Sequence, residues 1–359
     1  VKYPFFYMGP FYAKQTGKSI LSGYEEIGNW ALWFFIALTV ASMFAVIAAI
    51  SIVTAGLAEN IFNLQINVKI WTSIIVSFCT LVLIIGKYSL LDRLIKWVIL
   101  ILTFTTIIAF LFSFQIDNAQ SSNVALFNWD DSLHIIFLIA FVGWMPAPMD
   151  ISIWHSVWQV EKQNTQADYK INPKGNLDFN IGYIGTGILA LLFLSLGSQV
   201  FYGSGETLAS GGVKFSSQLI KLYSSLLGNW AYWIIAIAAF TTMFSTIITC
   251  IDAFPRVLNE AVSRLLKQSK SNYYLLLLIL LGVGSQIVIY FYMENMKQMV
   301  DFATTVSFLT TPLLAGLSLL AIKNGQKKGL ISISPFLIYW SYASIIALSL
   351  FALFYLAII

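Results

Sequence analysis

The chain has 359 residues, 58% of them apolar and 10% charged, with a mean hydropathy of +0.81 and a net charge of +4. That composition excludes an ordinary soluble domain, and basic residues scattered over several loops exclude a concentrated nucleic-acid footprint. Cys79 and Cys250 both fall in apolar stretches, so neither a disulfide framework nor a cysteine metal cluster is expected.

Residues 1–28 open with the aromatic run Tyr3-Pro4-Phe5-Phe6-Tyr7, too short to cross a bilayer, and read as the end of a helix followed by a cytoplasmic loop. Stretches long enough to span hydrocarbon, at roughly 20 residues each and free of charged residues but for Asp150, follow at 29–57, 70–86, 97–115, 134–159, 181–202, 229–251, 273–293, 302–322 and 333–358. These nine spans predict an all-α polytopic membrane protein with a single transmembrane domain over 1–359. Phe215 to Leu227 reads as a short amphipathic helix in a connection, and Glu161 to Asn180 as a polar connection.

Fifteen lysines and arginines lie in alternate connections, among them Lys14, Arg93, Lys162, Arg264 and Lys327, against only Lys69, Lys214, Lys221 and Lys297 in the opposite set. The positive-inside rule assigns the richer set to the cytoplasm and the C-terminus to the outside. The loop from Gln115 to Ser132, with three Asp and no Lys or Arg, then lies outside.

The span at 134–159 differs from the rest because it contains Gly143-Trp144-Met145-Pro146-Ala147-Pro148-Met149-Asp150. Proline removes a backbone donor and glycine weakens a turn, so the helix is predicted to unwind over 142–150. Irregular backbone at membrane depth survives only where it lines a cavity or is buried in protein, and together with an intramembrane acid it points to a transporter's binding site. Four further spans follow before the last, giving a five-span unit over 134–322 with 333–358 as an extra helix. A matching first unit over 29–115 has only three complete spans, so the chain is expected to begin inside a helix, without the first helix and part of the second.

Gly143 to Ser156, with Lys2-Tyr3-Pro4-Phe5-Phe6, Thr16-Gly17, Phe240-Thr241-Thr242-Met243-Phe244-Ser245-Thr246 and Leu309-Thr310-Thr311-Pro312, resembles a divergent bacterial branch of the Nramp family of divalent metal transporters. The resemblance covers essentially the whole chain. It implies a LeuT-type inverted-repeat fold in a bacterial inner membrane. Divalent cations such as manganese or iron would be the substrate, with no permanently bound cofactor, and the protein would act as a monomer.

In the family's sixth helix a Met-Pro-His-Asn motif supplies a sulfur ligand. Met145-Pro146 stands at that motif, with Ala147 and Pro148 in place of His and Asn, and His155-Ser156 resembles the His-Ser that closes it three residues late, so Met149 competes with Met145 for the sulfur role. The family's tenth-helix glutamine corresponds to Thr310. Its third-helix acidic pair, used for protons, corresponds to Ala48 and Ser51, while Gly56-Leu57-Ala58-Glu59 carries a related string two turns later. Weak proton coupling is expected.

The candidate ion-binding residues are therefore Gly143 through its carbonyl, Met145 or Met149, Asp150 and Thr310, with His155 as a possible proton relay. Each has a plainer reading: packing for the methionines, an N-cap for Asp150, a structural hydrogen bond for His155 and helix packing for Thr310. Two rival functions remain at this level, a carrier of the same fold for an organic substrate such as an amino acid, and a non-transporting membrane scaffold. No catalytic motif is present, so enzymatic activity is not expected.

Overall fold

The computed structural model describes residues 1–85, 89–114, 127–165, 177–201, 208–267, 272–292 and 296–358. The described residues form helices and no strand. A short pair, α1 (Tyr3–Thr16) and α2 (Ile20–Ile27), precedes the long α3 (Asn29–Phe62), then α4 (Val68–Ile85) and α5 (Ser89–Ser113). Next come α6 (Ser132–Trp144) and α7 (Ile151–Thr165), α8 (Leu177–Phe201), the short α9 (Gly212–Leu227) and the long α10 (Ala231–Leu265). The chain closes with α11 (Tyr274–Tyr292), α12 (Met296–Lys327) and α13 (Pro335–Ile358).

Seven of these, α3, α4, α8, α10, α11, α12 and α13, are long and apolar enough to cross a membrane. The other two expected spans differ for identifiable reasons. The apolar part of α5 is the shorter Trp97–Ser113, and the span at 134–159 is divided into α6 and α7. Several helices outrun the apolar stretches that reveal them. Hydropathy marks only the part in hydrocarbon, whereas α10 continues through Arg256, Glu260 and Arg264 as an ordinary charged helix. Residues 1–28, expected to end in a loop, instead include α2. Most of the expected connections at 115–132 and 161–180 fall outside the described residues.

The scaffold centres on α3, which packs against α10, α12, α9, α4 and α11. Small residues on it, including Ala45, Ala48, Ala49, Ala55 and Ala58, are buried and let the neighbouring backbones approach. In lipid, with no hydrophobic gain from helix association, such close packing carries the assembly.

The two long helices are related by an inverted repeat that the sequence also carries. Gly28-Asn29-Trp30-Ala31-Leu32-Trp33 begins α3, and Gly228-Asn229-Trp230-Ala231-Tyr232-Trp233 begins α10. Each glycine ends a short helix by donating its N–H to the last turn, Gly28 to the Tyr24 carbonyl at 3.2 Å and Gly228 to the Ser224 carbonyl at 2.9 Å. Both have positive φ, 145° and 95°, with ψ of 159° and 164°. The two copies sit at opposite ends of the bundle. Arg264, at the end of α10, pairs with Glu25 of α2 at 2.9 Å, while Asn60, at the end of α3, donates to the Val213 carbonyl of α9 at 3.0 Å. Thus α2–α3 and α9–α10 are antiparallel equivalents.

This backbone region is essentially restricted to glycine, with a cost of about 1–3 kcal/mol for another residue. Gly28→Ala and Gly228→Ala are each expected to lower the melting temperature in detergent. Gly316→Ala, on α12 with open space beside it, is expected to leave it unchanged or raise it. Thermal unfolding followed by tryptophan fluorescence checks the contrast.

Candidate functional site

The break lies at 145–150, between the end of α6 at Trp144 and the start of α7 at Ile151. Helix persists three residues further than the expected 142–150. Met145 still donates its N–H to the Phe141 carbonyl at 2.8 Å, and the first missing donor is that of Pro146. Gly143 is therefore helical. It is needed for close approach, since a Cβ there would strike the Thr304 backbone of α12. The Trp144 indole N–H donates to the Ser307 hydroxyl at 3.1 Å, fixing the end of α6 to α12 a second time.

On the other side of the break, Asp150 takes the N-cap position of α7. Its carbonyl accepts the N–H groups of Ile153 at 2.9 Å and Trp154 at 3.1 Å, while the N–H groups of Ile151 and Ser152 go to the carbonyls of Pro148 and Met149. Ser152 ties α7 to α1 by donating to the Phe5 carbonyl at 2.7 Å. Asp150 thus stands at the cap position by its backbone, without a side-chain bond to the first N–H groups of α7.

Asp150 also faces a small cavity of about 10 Å³ lined by Leu38, Thr39, Ser42, Met149, Ser307, Thr310 and Leu314. This is room for about one water or ion. The hydroxyl groups on its wall share an electrostatic character. Thr39 donates to the Phe35 carbonyl at 2.9 Å, Ser42 to the Leu38 carbonyl at 3.2 Å and Thr310 to the Ser307 carbonyl at 3.1 Å. With each proton committed to its own helix, the oxygens keep lone pairs for the cavity. An acceptor-rich wall beside a carboxylate suits a cation.

The structure therefore brings Met149, Asp150 and Thr310 together and adds Ser307, Thr39 and Ser42. Met149 is 2% exposed and lines this cavity, whereas Met145 lines neither it nor the larger space described next. That larger space, about 530 Å³, opens toward the lysine-rich end between α1, α7 and α8. Pro146 and Ala147 form its deep wall, His155 and Trp158 its side, and Lys14 and Lys162 its mouth. His155 thus faces the vestibule and is absent from the wall of the small cavity.

Two features escaped the sequence reading. Thr39 and Ser42, three residues apart on the apolar α3, lie on one helix face, and that spacing was the available signal. Lys2 had no such signal beyond its place in Lys2-Tyr3-Pro4-Phe5-Phe6. It is 4% exposed, and its ammonium donates to the Gly143 carbonyl at 2.7 Å and to the Ala147 carbonyl at 3.0 Å. The candidate carbonyl at Gly143 therefore already has a cationic partner.

Near the lysine-rich end, α7 is tied to α10. The Trp158 indole donates to Asp252 at 3.2 Å, and Arg256 bonds Asp252 at 2.6 Å and reaches Glu161 at 3.7 Å. Tyr274 of α11 donates to the same Asp252 at 2.7 Å. Asp252 is a structural hub, as its position near a span end implies.

The sequence profile of the natural resistance-associated macrophage protein-like family, Nramp, matches residues 15–357. The chain belongs to the Nramp family. It is also 33% identical over 363 residues to an uncharacterised protein of Pasteurella multocida (strain Pm70), PM0681, covering 99% of this chain and 82% of that relative. Nramp proteins are metal-ion transporters of the LeuT fold and not enzymes, so this Nramp protein is a multi-pass membrane protein of a transporter family. Among its described residues no group of three His, Cys, Asp or Glu forms a metal cluster.

The two spaces differ in access, which labelling can read against the buried background of Cys79 and Cys250. A membrane-impermeant thiol reagent should modify His155→Cys readily from the lysine-rich side and Thr310→Cys slowly. Equal rates would contradict the separation of the two spaces.

Proposed function

We propose that this Nramp protein carries divalent metal cations, of the manganese or iron kind, by alternating access about the break at 145–150. Asp150, Thr310 and Met149 hold the ion, with Thr39, Ser42 and Ser307 completing its oxygen surroundings. The observation that carries this reading is the cavity of about 10 Å³ with acceptor-only hydroxyls beside a carboxylate. An amino acid or other organic substrate does not fit that volume, whereas a dehydrated ion does. The thioether of Met149 adds a soft ligand, which discriminates against magnesium and calcium.

The protein works as a monomer in a bacterial plasma membrane, with the vestibule of His155 and Lys162 on the cytoplasmic side and the C-terminus outside, in keeping with the basic-residue asymmetry. Coupling to protons is weak. Ala48 and Ser51 are fully buried on α3 and supply no carboxylate, and Ser51 bonds only its own helix at the Ile47 carbonyl, 2.6 Å away.

The deciding experiment compares manganese and magnesium uptake into liposomes. Met149→Ala should weaken manganese uptake far more than magnesium uptake, while Met145→Ala leaves both near wild type. A pH-sensitive dye in the same vesicles should show little acidification as metal enters. Equal loss of both metals with Met149→Ala, or the selective loss appearing with Met145→Ala instead, would contradict the sulfur assignment.

A further inference from the structure

In a continuous helix the Gly143 carbonyl would accept the N–H of Ala147, and the Ala147 carbonyl that of Ile151. The break cancels both bonds. Ile151 turns instead to the Pro148 carbonyl at 3.3 Å, and the carbonyls of Gly143 and Ala147 face a single donor, the Lys2 ammonium.

Three sources of negative potential meet at this point. The two carbonyls lie 2.7 and 3.0 Å from the ammonium, the C-terminal end of α6 contributes its dipole, and the Asp150 carboxylate is within electrostatic reach. Freed carbonyls at the end of a half-helix are the elements with which broken-helix transporters coordinate small free cations. Here a side chain from α1 occupies that place, and a lysine buried at membrane depth is tolerated only because these groups surround it.

We infer that the carbonyl pair of Gly143 and Ala147 is a monovalent-cation site filled by the tethered ammonium of Lys2. The wild-type protein consequently needs no free sodium, potassium or ammonium to hold its break in shape. Removing the tether exposes a site that a small free cation takes. Ala147 also lines the open vestibule, so such a cation has a route from solution.

Lys2 acts here as a positioning residue, and the test is chemical rescue in the full natural chain. Melting of wild type, Lys2→Ala and Lys2→Gln is measured in detergent with N-methylglucamine, sodium, potassium, ammonium or methylammonium as the sole monovalent cation. Wild type should melt at the same temperature in all of them. Both variants should melt lower in N-methylglucamine and recover most of the loss in at least one small cation, with metal uptake in liposomes recovering in the same salts.

Variants as stable as wild type in N-methylglucamine would overturn the inference. So would a loss that no small cation restores, including failure to recover folded protein in every salt, because a structural lysine behaves in that way. The melting readout stands whether or not the transported ion is a divalent metal, so failure here is distinguishable from failure of the metal reading.

Discussion

Backbone carbonyls that lose their helical partners inside a bilayer must find others, because hydrocarbon offers no water. The arrangement around residues 145–150 follows from that requirement. Pro146 and Pro148 stop the helix, Lys2 takes the carbonyls of Gly143 and Ala147, and Asp150 stands at the start of α7, its carbonyl accepting from Ile153 and Trp154. Each solution brings charge to membrane depth. The broken span thereby becomes a polar centre in an otherwise apolar bundle.

That centre is held by helices that do not break. Gly143 lies against Thr304, Trp144 bonds Ser307, and Ser152 bonds the Phe5 carbonyl, so α6 is fixed to α12 and α7 to α1. The two half-helices thus have different anchors. The third wall, from α3, belongs to the inverted pair of long helices begun by Gly28 and Gly228. A site between a divided span and a continuous scaffold can change access when one side moves relative to the other. The bonds from Trp158 to Asp252 and from Arg256 to Glu161 join those two parts at the lysine-rich end, where such motion would have to release them.

Much of the fold was legible because hydrocarbon imposes length and hydropathy directly on sequence. The break was legible for the same reason: proline and a carboxylate have few uses inside a span. Pairing was not. Thr39 and Ser42 lie more than 250 residues from Thr310 in the chain, and nothing local to α3 shows which of its hydroxyls face α12. Lys2 was obscure because its partners are backbone carbonyls, which carry no residue identity. The choice between Met145 and Met149 depends on how the backbone turns after Trp144, which composition does not encode. By contrast, the repeated Gly-Asn-Trp at 28 and 228 was in plain view and marks the inverted repeat. Seen as two short motifs in separate loops, it carries little weight until the opposite placement of α2 and α9 gives it meaning.

The assignment of the cavity among Asp150, Met149 and Thr310 as the ion's seat is tested most directly by anomalous X-ray scattering from crystals grown with manganese. A single anomalous peak in coordinating contact with the Asp150 carboxylate and the Thr310 hydroxyl is the result predicted. A peak confined to the open vestibule beside His155, with none between α3, α12 and the break, would contradict it.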